Sequence, residues 1–306
     1  MTVYNGAVIL ILTIVPPLVL WRIDSNLLKE ILKDLRPLRI IHYFILTLLG
    51  AHIYYHSDIS GSGAYFKSDY LFQLVSFWLA LVYAAVFAII SNNIEDVKAD
   101  KISNPNRPLI TGNVDPRAYL RAGFVSQCIA FAIAICSSWF VLFGIMGISL
   151  GYYLYSCSPF RLKRIPIFAK FMIGFNSLIA AVTGFAIIGG EPLNFPFLWL
   201  IFILIPLSLA ANFIDLKDIE GDKAAGIKTL PVMFGERKAK LIIGIFTILT
   251  YAMGGILINK LWLYPFGTIA LAFHLWFLFR EPFKEKPVFL IYIISLLVLV
   301  ILLLFP

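Results

Sequence analysis

The chain is short of charge, cysteine and histidine, and each shortage excludes something. Charged residues make up 14% of its 306 positions against 60% hydrophobic, and the mean hydropathy is +0.90. No soluble globular domain of this length has that composition; the class is a polytopic membrane protein. The formal net charge of +8 is too scattered for a nucleic-acid footprint. Three cysteines, Cys128, Cys136 and Cys157, form no CxxC pair and fall in or near apolar segments. They read as buried small hydrophobes, which leaves neither a zinc site nor a disulfide framework. Of four histidines, His42 and His274 stand alone. His52 and His56 are four apart, a spacing that can bind metal, but only Asp58 lies near them, so interfacial packing is expected. No basic stretch precedes the first apolar run, which therefore reads as a retained helix and not a cleaved signal.

What the chain has in plenty is apolar segments of membrane length. A span needs roughly 20 mostly apolar residues. Helices are expected near 3–21, 40–56, 70–92, 118–138, 141–157, 169–189, 196–213, 240–258, 262–279 and 287–305. The first carries Pro16-Pro17, which would kink it or end it early, leaving an interfacial or half-spanning helix as the alternative. The charges test this topology. Stretches 22–39, 92–121, 158–170, 212–240 and 280–287 hold 23 of the 25 Lys and Arg, and the opposite side holds only Lys67 and Lys260. Such asymmetry places those stretches in the cytosol. The segment from Trp21 to Arg39 separates leucines and isoleucines with charges at helical spacing. It reads as an amphipathic helix in the cytosolic headgroup region, or as a solvated linker helix. On the outer side, His56 to Asp69 is a Gly/Ser-rich loop expected to be flexible.

Two cytosolic stretches then stand out. Asn92, Asp96 and Asp100 are four residues apart at the end of an apolar segment, a spacing that puts an amide and two carboxylates on one helix face. Asp215, Asp218 and Asp222 sit three and four apart at the end of another. Ionisable groups at membrane depth are costly and point to function. A hard cation such as magnesium takes oxygen ligands, commonly one or two carboxylates plus substrate phosphates. Two acidic helix ends can therefore grip magnesium and a diphosphate between them. Lys98, Lys101, Arg107, Lys163, Arg164 and Lys228 are near enough in sequence to neutralise remaining phosphate charge. The two halves also echo each other slightly, with RPLITG after one cluster and KTLPVMFG after the other.

These residues resemble the UbiA superfamily of intramembrane prenyltransferases, over roughly 36–305. The resemblance rests on N-x-x-x-D-x-x-x-D at Asn92, Asp96 and Asp100 followed by NRPLITG, and on YSCSPFRLKR from Tyr155 to Arg164. It rests also on D-x-x-D-x-x-G-D at Asp215, Asp218, Gly221 and Asp222 followed by GIKTLP. It implies an all-α bundle of nine helices around a central cavity open sideways to lipid, here with an extra N-terminal helix. On that basis residues 1–35 form an N-terminal segment and 36–306 the prenyltransferase domain, an integral membrane protein with its site on the cytosolic side. The implied reaction loses diphosphate to give an allylic cation, which a lipid-soluble acceptor attacks, with Mg2+ as cofactor. Carried over by position, Asp96, Asp100, Asp218 and Asp222 are the catalytic carboxylates. The metal set adds Asn92 and Asp215, with Asp215 in the supporting role. Arg36, Asn92, Arg107, Tyr155, Lys163 and Lys228 are expected to bind substrate, and Gly221 to permit a close turn beside Asp222.

Two departures from the family pattern bear on function. Position 93 is Asn where many members have Asp, so one carboxylate is missing from the first motif. The segment LRPLRIIHY lacks the Asn or Trp common after the family's Arg-Pro, which leaves the acceptor pocket open. An aromatic quinone precursor, a geranylgeranylglyceryl phosphate, a carotenoid and a porphyrin-type ring are the candidate acceptors, and the compact GD-x-x-x-GIKTLP form favours an isoprenoid lipid or a quinone precursor. Two other readings compete: a membrane terpene cyclase of the same fold, in which the cation cyclises internally, and a non-catalytic transporter or scaffold.

Overall fold

The computed structural model describes residues 2–55, 68–258, 261 and 263–303. In chain order the helices are α1 (Thr2–Ile23), α2 (Ser25–Asp34), α3 (Pro37–Tyr55), α4 (Ser68–Glu95), α5 (Val97–Ser103), α6 (Pro108–Thr111), α7 (Pro116–Ile135) and α8 (Trp139–Ser156). After a 3-10 turn at Leu162–Arg164 come α9 (Pro166–Ile187), α10 (Phe197–Leu204) and α11 (Pro206–Ala210). A 3-10 stretch at Ala211–Lys217 leads to α12 (Ile219–Ala224), α13 (Leu230–Phe234), α14 (Glu236–Ile258), α15 (Leu263–Phe279) and α16 (Glu285–Leu303). Every apolar segment expected from the sequence is largely helical over its described residues. Eight helical segments of the described residues are long and apolar enough to cross a membrane, and α15 is a shorter apolar helix. The protein is an integral membrane protein. The loop expected on the outer side, with His56, Asp58 and Lys67, lies outside the described residues, as does Lys260; Ser68 and Asp69 open α4.

Pro16 and Pro17 do not end the first helix, which runs on to Ile23. Pro17 has no N–H to give to the carbonyl of Thr13, and an unsatisfied carbonyl at membrane depth costs several kcal/mol. The Tyr83 hydroxyl supplies the missing donor, at 2.7 Å from that carbonyl. Most side chains of α1 are exposed, as a lipid-facing span requires. The apolar stripe of α2, Leu27 and Ile31, is buried on Val86, Ile90, Val114 and Tyr119, so protein and not lipid covers it. The cysteines differ from expectation too. Cys128 is exposed, and Cys136 and Cys157 are half-buried. On a membrane span an exposed thiol can face lipid at no cost, so burial in protein was not required.

The chain forms two compact units, residues 1–161 with 179–192, and residues 162–178 with 193–306. In the first, α4 packs on α7, α8 and α3. Within it α3 and the second half of α9 approach backbone to backbone. A Cβ on Gly50 would stand 1.7 Å from the Ala181 carbonyl oxygen, and one on Gly184 1.9 Å from that of Thr47. Small residues allow this kind of approach where lipid gives helices no hydrophobic reason to associate. In the second unit α14 packs on α11, α13 and α15, and α15 on α16.

The echo between the halves, slight in sequence, is plain in the backbone. A long helix ends at Asp96 (φ −102°, ψ 12°) in one unit, and the 3-10 stretch ends at Asp218 (φ −104°, ψ 12°) in the other. Each Asp opens a short helix, α5 or α12. Each is followed by a helix with Pro in its first turn, α6 or α13, closed by a left-handed or positive-φ glycine, Gly112 (φ 74°) or Gly235 (φ 78°). Both aspartates lie in the sparsely populated bridge region that active-site residues often occupy.

The glycine approach is testable. Gly50→Ala should cost at least about 3 kcal/mol, because the obstruction is backbone and cannot swing aside. Gly267→Ala, where no atom lies within 4 Å of the new methyl group, should be neutral or slightly stabilising. Thermal unfolding in detergent reads both.

Candidate active site

Asn92, Asp96 and Asp100 were expected on one face of an unbroken helix. The helix turns at Asp96 instead, yet the i→i−4 bonds persist through the turn, Asp96 N to Asn92 O and Asp100 N to Asp96 O, both 2.9 Å. Each side chain then meets a different partner. The Asn92 Oδ1 accepts from Ser156 Oγ at 3.0 Å. Asp96 Oδ1 accepts from Arg161 Nη2 at 3.1 Å. Asp100 Oδ2 accepts from Arg107 Nη1 at 2.5 Å, and its Oδ1 from Asn104 Nδ2 at 3.1 Å. Asp100 is 4% exposed, and burial pushes its carboxyl above the ordinary carboxylate range, with Arg107 pulling the other way.

Arg161 was missed in the sequence, although it lies within YSCSPFRLKR. Its backbone is left-handed (φ 43°), a conformation that costs a non-glycine residue of order 1 kcal/mol. Bonds from its guanidinium to the Glu95 carbonyl and to Asp96, and an ion pair with Glu95 at 3.6 Å, hold it there. Its Nε is buried without a partner. Glu95 also accepts from the backbone N–H and hydroxyl of Ser158, tying the loop after α8 to the end of α4.

Beside this motif the first unit encloses a cavity of about 60 Å3 lined by Arg36, Arg39, Tyr43, Asn92, Tyr152 and Tyr155 together with apolar side chains. Arg36 and Tyr155 thus line one cavity with Asn92, and Arg39 and Tyr152, not singled out in the sequence, line it too. The Tyr152 hydroxyl donates to that of Tyr43 at 3.0 Å. Arg36 Nη2 is buried with no acceptor, and burial lowers the guanidinium to about 10, which still leaves it a cation at neutral pH. A buried cationic donor without an acceptor calls for an anion.

In the second unit the acidic residues follow one another through backbone bonds, Asp218 N to Asp215 O at 3.1 Å and Asp222 N to Asp218 O at 2.8 Å. Asp215 receives Lys170 Nζ at 2.7 Å while its Oδ2 is buried without a donor. Lys170, 7% exposed, was read in the sequence only as an orienting charge. Gly221 is an ordinary helical residue inside α12; the positive φ in this stretch belongs to Gly226 (φ 68°). Lys163 is buried in its 3-10 turn, and Lys228 is exposed.

Among the described residues no three His, Cys, Asp or Glu side chains converge as a ready metal site. The donors nonetheless suit magnesium. They are hard oxygens, and that ion is completed by substrate phosphates and needs only one or two carboxylates per ion. The buried, unpartnered Asp215 Oδ2 is an oxygen of that kind.

The described residues thus form a helical membrane bundle with two acidic turns of one design, each beside basic residues. The chain belongs to the UbiA prenyltransferase family, whose model matches residues 62–297. It is 26% identical over 222 residues to the digeranylgeranylglyceryl phosphate synthase of Pyrococcus horikoshii, covering 72% of this chain and 75% of that one. It is 29% identical over 238 residues to the homogentisate phytyltransferase of Synechocystis, covering 72% and 74%. In fold it matches a UbiA homolog from Archaeoglobus fulgidus bound to GPP and Mg2+, with TM-score 0.66 and 18% identity, covering 90% of this chain and 99% of that chain. The protein is therefore a prenyltransferase, and the transporter and scaffold readings fall.

The Lys170–Asp215 pair gives a prediction. Lys170→Met strands a buried carboxylate and should cost about 3–5 kcal/mol, whereas Lys170→Met with Asp215→Leu should recover most of that loss. Thermal unfolding in detergent measures both.

Proposed function

We propose that the protein moves a polyprenyl group from a prenyl diphosphate to a lipid-soluble acceptor with an anionic head, a geranylgeranylglyceryl phosphate, at the cytosolic face. The observation that carries the acceptor is the Arg36 guanidinium, buried with a free Nη2 at the cavity it shares with Arg39 and Tyr155. A phosphate is an acceptor group that satisfies it in a planar, charge-assisted way. The named activity of the Pyrococcus relative supports the same acceptor, and the Synechocystis relative supports a quinone precursor as the second reading. The cytosolic placement rests on the distribution of Lys and Arg. The catalytic domain is assigned to 36–306.

In this reading Asn92, Asp96 and Asp100, and Asp215, Asp218 and Asp222, hold magnesium, with Asp215 buttressed by Lys170. Bound magnesium supplies charge stabilisation for the departing diphosphate. Arg107, Arg161, Lys163 and Lys228 donate to the phosphate oxygens. The buried Arg161 Nε is a donor still without an acceptor. Tyr155 and Tyr152 line the cavity, where aromatic faces stabilise a developing cation and apolar neighbours exclude water.

The test is product analysis with purified protein, geranylgeranyl diphosphate, Mg2+ and either a geranylgeranylglyceryl phosphate or an aromatic quinone precursor. A prenylated phospholipid ether is expected, with turnover lost on EDTA treatment and in Asp96→Ala and Asp218→Ala, both folded. A prenylated aromatic product alone would move the acceptor to the second reading. A cyclic hydrocarbon formed without acceptor would make the protein a cyclase. Wild-type rates in either variant would remove that residue from the site.

A further inference from the structure

The segment before residue 36 precedes the part of the chain that matches the family, yet it reaches the first acidic motif through one carboxylate. Asp34 ends α2 and accepts from the Asn93 amide nitrogen. The same nitrogen lies 3.0 Å from the Tyr119 hydroxyl, which is itself 3.4 Å from Asp34 Oδ2. On the other side, Asn93 Oδ1 accepts from Arg107 Nη1 at 2.6 Å, and that nitrogen also serves Asp100 Oδ2. A guanidinium only donates and a carboxylate only accepts, so the orientation of the amide between them is dictated. Asn93 is 1% exposed, and water cannot substitute for either bond. A carboxylate at 93 would still take the Arg107 bond but would face Asp34 charge to charge.

The rest of α2 fixes Asp34 in place. The Asp24 side chain caps its first turn, Leu27 and Ile31 are buried on α4 and α7, and Asn26 Nδ2 donates to the Asn113 carbonyl just beyond α6. The helix thus grips the chain on both sides of Arg107, at Asn93 and at Asn113.

We propose that Asp34 is a positioning residue for the first motif, orienting the Arg107 guanidinium through the Asn93 amide so that it meets the diphosphate of the donor substrate. This rests on the reading of Arg107 as a diphosphate ligand. Asn93 is then not a lost carboxylate but the amide that an N-terminal acidic partner requires.

The test is a charge exchange. Asn93→Asp should weaken binding of a non-hydrolysable prenyl thiolodiphosphate about tenfold or more, as expected for a disrupted buried network of charged groups. Adding Asp34→Asn should restore affinity to within about threefold, because the donor and acceptor have only changed places. The isosteric Asp34→Asn alone, which keeps the shape of the site, should raise KM for the prenyl diphosphate with little change in kcat. Thermal unfolding of the ligand-free variants forms a parallel cycle that needs no substrate, and the exchange should recover the midpoint lost in Asn93→Asp. An exchange no better than Asn93→Asp in either readout, or a wild-type KM in Asp34→Asn, would overturn the proposal. If the wild-type protein bound no prenyl diphosphate, the function reading would fail, and the ligand-free cycle would decide on the linkage alone.

Discussion

A carboxylate placed where a membrane helix meets water needs a cation or a cluster of donors, or it will take a proton. That constraint organises both units. Asp100 is held by Arg107 and Asn104, Asp96 by Arg161, and Asp215 by Lys170. Arg107 and Arg161 come from loops, and Lys170 from the first turns of α9, inside its apolar span. The pairs therefore fix the loops as much as the carboxylates.

The same economy runs through the apolar part of the chain. The carbonyl that Pro17 leaves bare is met by Tyr83, and Thr250, in a membrane span, bonds its hydroxyl to the Pro206 carbonyl at the break in the seventh apolar segment. Pro206 follows Ile205 where α10 gives way to α11, and the chain then tightens into 3-10 geometry before Asp215. Here the break comes just ahead of the second acidic motif.

Much of this was legible in the amino-acid sequence, because its signals are local. Long runs of apolar residues give helices from local signals, and the expected segments are largely helical over their described residues. The two motifs were visible from spacing alone, and the short helices that contain them follow that spacing. What was not legible depends on contacts across the sequence. Arg161, Lys170 and Asp34 look like ordinary charges until the fold brings them to Asp96, Asp215 and Asn93, which are 65, 45 and 59 positions away. Gly221 was assigned a turn because glycine at a motif suggests one, but the turn is made by Gly226. Asn93 looked like a loss because its partner lies in α2, in a segment whose pattern signals only amphipathicity.

The central claim is that the acidic turns bind magnesium together with a diphosphate, and not the ion alone. Calorimetric titration of Mg2+ into detergent-solubilised protein, with and without a non-hydrolysable prenyl thiolodiphosphate, tests it most directly. The account predicts weak metal binding by the free protein, which offers no cluster of three carboxylates among its described residues, and strong binding once the diphosphate is present. Tight Mg2+ binding without the diphosphate, or none with it, would contradict the account.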